Sequence, residues 1–88
     1  MNLENQISIV TGGGQGIGRE IALRLAQEGA VVVIGDINEK GSHETAAMIA
    51  RKGGPKAVVI PTDVTHEDQV IRLINGAMDM TLIRNQNF

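Results

Sequence analysis

The sequence contains no cysteine, no tyrosine and no tryptophan, and Phe88 is its single aromatic residue. Without cysteine, disulfides and thiolate metal sites are excluded. Charge of one sign is also missing. Eight Lys and Arg face ten Asp and Glu, for a net charge of −2 with no basic block. A nucleic-acid binder would need clustered Lys and Arg to displace counterions. No apolar run approaches the ~20 residues that cross a bilayer. Met1 to Gln6 are polar and partly acidic, unlike the basic start and apolar run of a signal peptide. The expected compartment is the cytoplasm. At 88 residues the chain is one domain or part of one.

Glycine, in contrast, is abundant: 11 residues, five of them between Gly12 and Gly18. Ahead of them, Ile7-Ser8-Ile9-Val10-Thr11 is short, apolar and β-branched, as a buried strand is. Behind them the period changes. Ile17, Ile21 and Leu25 recur every four residues, with Ala22 and Ala26 beside them, which predicts one inward face of a helix. Gly29 suits its left-handed C-terminal cap.

Ala30 to Gly35 predicts a second buried strand. Asn38 caps a second helix, with Glu39 at the positive end of its dipole. That helix turns Ala46, Ala47, Ile49 and Ala50 inward and stops at Gly53-Gly54-Pro55. Lys56 to Ile60 predicts a third strand, closed by Pro61. Thr65 and Asp68 have the spacing of a capping box for a third helix, whose buried face is Val70, Leu73, Ile74 and Ala77. The order β-α-β-α-β-α predicts a three-layer α/β fold with a parallel sheet. Met80 to Phe88 fit no element clearly.

The glycines, placed between strand and helix, allow a tight turn and bring N–H groups close to an anion. Gly18, one turn into the helix, allows close helix–strand approach. A P-loop would need Lys followed by Ser or Thr after its last glycine, and Arg19-Glu20 stands there. No frame satisfies G-x-G-x-x-G. Gly14-x-Gly16-x-Gly18 leaves a methyltransferase open, although Val10-Thr11 supplies no acidic residue at the strand end. Asp36, ~20 positions on, suits a ribose-binding acid or a helix-capping one. Asp63 suits a turn initiator ahead of Thr65. His43 and His66 have no metal-ligand spacing. Arg51, Lys52 and Lys56 complement a helix C-terminus. Met48, Met78 and Met80 are expected to pack.

Thr11-Gly12-x-x-x-Gly16-Ile17-Gly18 resembles the T-G-x-x-x-G-[IL]-G signature of the short-chain dehydrogenase/reductase family, and the resemblance runs from about Gln6 to about Asp79. It extends to members of the 3-oxoacyl-acyl-carrier-protein reductase kind. The fold it implies is a Rossmann-like half of a doubly wound sheet, strand order 3-2-1, ending before strand four, over residues 1–79, with 80–88 a divergent tail. The site it implies comprises Thr11, Gly12, Gln15, Gly16, Ile17 and Gly18 around the cofactor phosphates. Asp36 would take the ribose hydroxyls. Asp63 and Val64 would border the adenine. Members that use NADP tend to carry Arg or Lys where Gln15 and Ile37 stand here, and Asp36 would repel a 2′-phosphate, so NAD is expected over NADP.

The resemblance also shows what is missing. The family transfers hydride between a nicotinamide and a carbonyl or alcohol with Ser, Tyr and Lys. There is no tyrosine here, and the only serines, Ser8 and Ser42, lie in the first strand and second helix. No position carries a catalytic role. The N-N-A-G segment would begin just beyond Phe88, and the departure after Asp79 points to a reading frame changed or cut short near Met80. The expected activity of the family is oxidoreduction, and the alternative for this chain is a non-catalytic nucleotide-binding or interaction module. With no fourth strand, Ile7 to Val10 would be an open apolar edge, a route to self-association.

Overall fold

Val31–Gly35 is buried at all five positions, as a β-branched strand between two layers must be. It is the middle strand. The computed structural model describes residues 2–85, with side chains as far as Met80. Six elements follow in order: β1 (Ile7–Thr11), α1 (Gly16–Gln27), β2 (Val31–Gly35), α2 (Glu39–Arg51), β3 (Val58–Val59) and α3 (Glu67–Asn85). The sheet is parallel with order β1-β2-β3, the expected 3-2-1 counted from the other edge. Ile7 pairs with Val31 and Thr11 with Gly35, while Val33 pairs with Val58.

The strands' period of two sorts their side chains between layers. Val10, Val32 and Ile34 meet Ala22, Ala26 and Ile49 of α1 and α2 on one face. Val33, with Ile7, Val58 and Ile60, meets Leu73, Ala77 and Met80 of α3 on the other. The result is a three-layer Rossmann-like half-sheet.

Both α1 and α2 end in Schellman motifs. Ala30 N–H donates to Leu25 O at 3.1 Å and Gly29 N–H to Ala26 O at 3.0 Å; Gly54 and Gly53 repeat the pattern on Ile49 and Ala50, both at 3.0 Å. Gly29 and Gly53 hold φ of 102° and 80°, which residues with a Cβ rarely adopt.

Several details differ from the sequence reading. α1 buries Ala22 and Ala26, while Ile17 and Ile21 are exposed and Leu25 is half-buried. The helix packs over β1, β2 and α2, and small alanines let its backbone approach them closely. α2 turns Ser42, Thr45 and Ile49 fully inward, leaving Ala47 and Ala50 exposed. In α3, Leu73 and Ala77 are buried but Ile74 is exposed. β3 is two residues long, although Ile60 N–H still donates to Ile34 O at 3.0 Å. Pro61 falls where the strand's N–H would point away from β2, and Thr62 N–H donates to Asp36 O at 3.2 Å.

Thr65 does not cap α3. The helix begins at Glu67, and the His66 carbonyl accepts from the N–H groups of Gln69 and Val70, both at 3.1 Å. The Thr65 hydroxyl is bonded to Asp63 instead, at 2.6 Å. The tail assigned to 80–88 falls partly outside the described residues; α3 continues through Asn85.

Candidate functional site

The glycine loop follows β1, Asp36-Ile37 follows β2 and Asp63-Val64 comes after β3. All lie beyond the carboxyl ends of parallel strands, the edge at which open α/β sheets bind ligands.

Gly12 N–H donates to the Gly35 carbonyl at 3.2 Å, so the loop starts tied to β2. Gly12 then turns at φ 71°. α1 begins at Gly16 behind an extended Gln15, whose side chain makes no cap bond. The N–H groups of the first turn therefore remain available to an anion, at the positive end of the helix dipole. Gly18 sits against the Gly12 peptide: a Cβ there would collide with the Gly12 carbonyl oxygen and come within 2.6 Å of its carbon. The close approach is thus to the loop itself rather than to the body of β1.

The inner side of the loop is closed by α2. The Thr45 hydroxyl donates to Gly13 O at 2.8 Å, and Arg19 Nη2 donates to Gly14 O at 2.7 Å. Gly14 N–H donates to Asp36 Oδ2 at 2.9 Å, while Asn38 N–H donates to Asp36 Oδ1 at 3.0 Å. Each carboxylate oxygen accepts more than one hydrogen bond, so Asp36 is held in place with acceptor capacity left. Asn38 also caps α2 as expected, its Oδ1 accepting from Gly41 N–H at 3.0 Å.

The outer side is open. A Cβ on Gly12 or Gly16 would meet nothing within 4 Å. Ile17, Ile37 and Val64 are 80%, 70% and 56% exposed, although all three are large and apolar. Thr11 and Gln15 are exposed along the same stretch.

Asp63 shapes the turn into α3. Its Oδ1 accepts from Thr65 N–H at 3.0 Å as well as from the Thr65 hydroxyl, and its Oδ2 lies 3.4 Å from His66 Nε2. The Thr65 hydroxyl, then the Thr65 amide and the nearby His66, hold its carboxyl below the usual aspartate range against a small opposing effect of burial. Asp36 and the glycine loop are therefore joined directly, whereas Asp63 is organised by its own turn. A separate shallow groove between α2 and β3, lined by His43, Ala46, Ala50 and Val59, shares no residue with this site.

Arg19 and Thr45 were not singled out as site residues by the sequence, and Gly14 only as one of the loop glycines. Arg19 carried one signal. A cation in the first turn of a helix opposes the dipole, so its presence implies another task.

The fold and the loop define a nucleotide-binding half-sheet. Residues 6–82 match the model of the short chain dehydrogenase family, and the chain belongs to that family of NAD(P)-dependent oxidoreductases. It is 42% identical over 78 residues to a short chain dehydrogenase/reductase of Aspergillus oryzae, covering 89% of this chain and 30% of that protein. It is 39% identical over 77 residues to the 3-hydroxyacyl-CoA dehydrogenase type-2 of Drosophila melanogaster, covering 88% and 29%. The hydroxysteroid dehydrogenase of Escherichia coli superposes with a TM-score of 0.85 at 35% identity, over 91% of this chain and 32% of that one. The chain thus spans about a third of the length of these relatives. The family match removes the methyltransferase reading. No helix among the described residues is long and apolar enough to cross a membrane.

Proposed function

We propose that this chain binds the adenosine half of a nicotinamide dinucleotide, with NAD preferred over NADP, as the cofactor-binding segment of a carbonyl–alcohol oxidoreductase. The observation that carries the proposal is the Asp36 carboxylate, fixed between the amides of Gly14 and Asn38 at the mouth of the glycine loop.

The residues fit the ligand. The open flank at Gly12 and Gly16 admits a pyrophosphate, and the uncapped first turn of α1 supplies N–H groups to it. Asp36 accepts from the ribose hydroxyls and disfavours a 2′-phosphate by like charge. Gln15 and Ile37 provide no cation to offset that phosphate. Val64 offers an apolar surface to the adenine beside Asp63, and Ile17 and Ile37 are apolar surfaces that a bound ligand would cover. Thr11 ends β1 at the loop's root.

When bound, the nicotinamide supplies or accepts the hydride. Relatives are named for hydroxyacyl-CoA and hydroxysteroid substrates, and a secondary alcohol and its ketone are the substrate class we assign to the protein this segment represents. These 88 residues contain no tyrosine and so lack the general acid/base that the family uses. The chain alone is therefore a nucleotide-binding module with no turnover. Titration of NAD into the 15N-labelled chain should move the amide signals of Gly12 to Gly18 and Asp36. Unmoved signals at millimolar NAD, or NADH turnover by the purified chain, would contradict this.

A second reading concerns the chain by itself. β1 is an edge strand, with Ile9 exposed on it and Ile71, Ile74 and Met78 exposed on α3, which packs against β1. We propose that this apolar edge pairs with a second copy.

A further inference from the structure

We infer that Arg19 and Thr45 act together as a positioning pair that locks the Gly13 and Gly14 peptides, and through the Gly14 amide fixes the Asp36 carboxylate. Only the ligand consequence rests on the dinucleotide reading above.

Thr45 is fully buried on α2, thirty-two residues beyond the loop it touches. Its hydroxyl has one proton and two acceptor lone pairs. The proton goes to Gly13 O at 2.8 Å, with Gly41 O close behind at 3.1 Å. A lone pair takes Arg19 Nε at 2.9 Å. The same guanidinium then reaches Gly14 O at 2.7 Å and Gly41 O at 3.2 Å through Nη2. Two successive loop carbonyls are thus drawn inward by one fork and one hydroxyl. Glu44, 3.9 Å from Nη2, adds an opposite charge at the rim.

Planarity carries the effect outward. In a trans peptide the N–H points opposite to the C=O. With Gly13 O turned in, the Gly14 N–H is turned toward Asp36, to which it donates at 2.9 Å. With Gly14 O turned in, the Gln15 N–H faces the mouth of the loop. The pair therefore sets the direction of one amide that holds the ribose acceptor and one that faces a phosphate. α2 can come this close because Gly41 has no side chain: a Cβ there would collide with Gly14 O. A lysine in place of Arg19 keeps the charge but lacks the fork that engages Thr45 and Gly14 at once.

The test is amide hydrogen exchange and NAD affinity on the full chain, with four variants: Thr45→Val, Thr45→Ser, Arg19→Met and Arg19→Lys. Without ligand, Thr45→Val and Arg19→Met should lower the protection of the Gly14 amide by about tenfold, as loss of a buried hydrogen bond does. The amides of Val33 and Ile34 in β2 should keep theirs, which general loosening of the fold would not allow. Thr45→Ser, which retains the hydroxyl, should restore Gly14, and Arg19→Lys should fall between. NAD affinity should drop by about tenfold in step. If β2 loses as much protection as Gly14, or if Thr45→Val leaves Gly14 unchanged, the positioning role is overturned. Should Thr45→Val not fold, Arg19→Lys decides on the same two readouts. If wild type binds no NAD while Gly14 responds as stated, the dinucleotide reading fails and the positioning pair stands.

Discussion

The Gly14 amide and the Asp36 carboxylate lie twenty-two residues apart and are joined by a 2.9 Å hydrogen bond. The bond ties the turn after β1 to the acid after β2. It depends on the absence of a side chain at Gly14. A Cβ there would lie 2.7 Å from Asp36 Oδ2 and 3.1 Å from the Ser42 backbone nitrogen, so either the carboxylate or α2 must move. Gly14→Ala should cost about 1–3 kcal/mol, the usual effect of overpacking. It should also weaken NAD binding, because the displaced group is the ribose acceptor we propose. Denaturant unfolding and an NAD titration on the same sample check both halves.

Gly18→Ala should be at least as damaging. The added methyl would meet backbone, the Gly12 peptide, which cannot rotate away as a flexible side chain could. We expect a loss of about 2 kcal/mol or more, which for a domain this size lowers the melting temperature by roughly 10 °C. A shift within a degree of wild type would show that α1 can slide off the loop.

The Asp63 carboxyl should set an acid-sensitive contribution to the turn before α3. Thr65 bonds to its ionised form and lowers its pKa in the folded state. A carboxyl depressed by folding stabilises fully above the ordinary aspartate pKa of ~3.9, and that contribution is lost as pH falls through it to the lower folded value. Titration of the Thr65 amide shift should show a midpoint below ~3.9, ordinary aspartate. Asp63→Asn should abolish the titration and flatten the acid limb of stability. A midpoint at the ordinary value would remove Thr65 as the cause.

Ile9→Lys should reduce self-association. Ile9 is the exposed apolar residue of the edge strand, and an edge lysine is a common guard against strand pairing. Sedimentation velocity across a concentration series should show the wild-type chain moving from monomer to dimer and the variant staying monomeric.

The sheet and the glycine loop were legible because their signals are local. β2 is a β-branched run bounded by glycine, and the loop is defined by where glycines fall between strand and helix. Asp36 was singled out by its spacing from the glycines, and its bond to the Gly14 amide joins it to the loop. Helix orientation was harder. Counting apolar residues favours Ile17 and Ile21 as the buried face of α1, but small Ala22 and Ala26 pack closest. The inward turn of Ser42 and Thr45 was hidden for a related reason. A polar residue on a helix looks solvated until the neighbouring loop is known to turn its carbonyls toward it, as Gly13 does. The Thr65-x-x-Asp68 spacing was present, but Asp63 captured the Thr65 hydroxyl first.

The most direct measurement of the central claim is a paired titration of NAD and NADP into wild type and Asp36→Ala. Two like charges a few ångströms apart cost on the order of 1–4 kcal/mol near a protein surface, so wild type should bind NAD at least about fivefold more tightly than NADP. Asp36→Ala should weaken NAD and bring the two affinities together. Equal affinities in wild type, or a preference for NADP, would contradict the role assigned to Asp36.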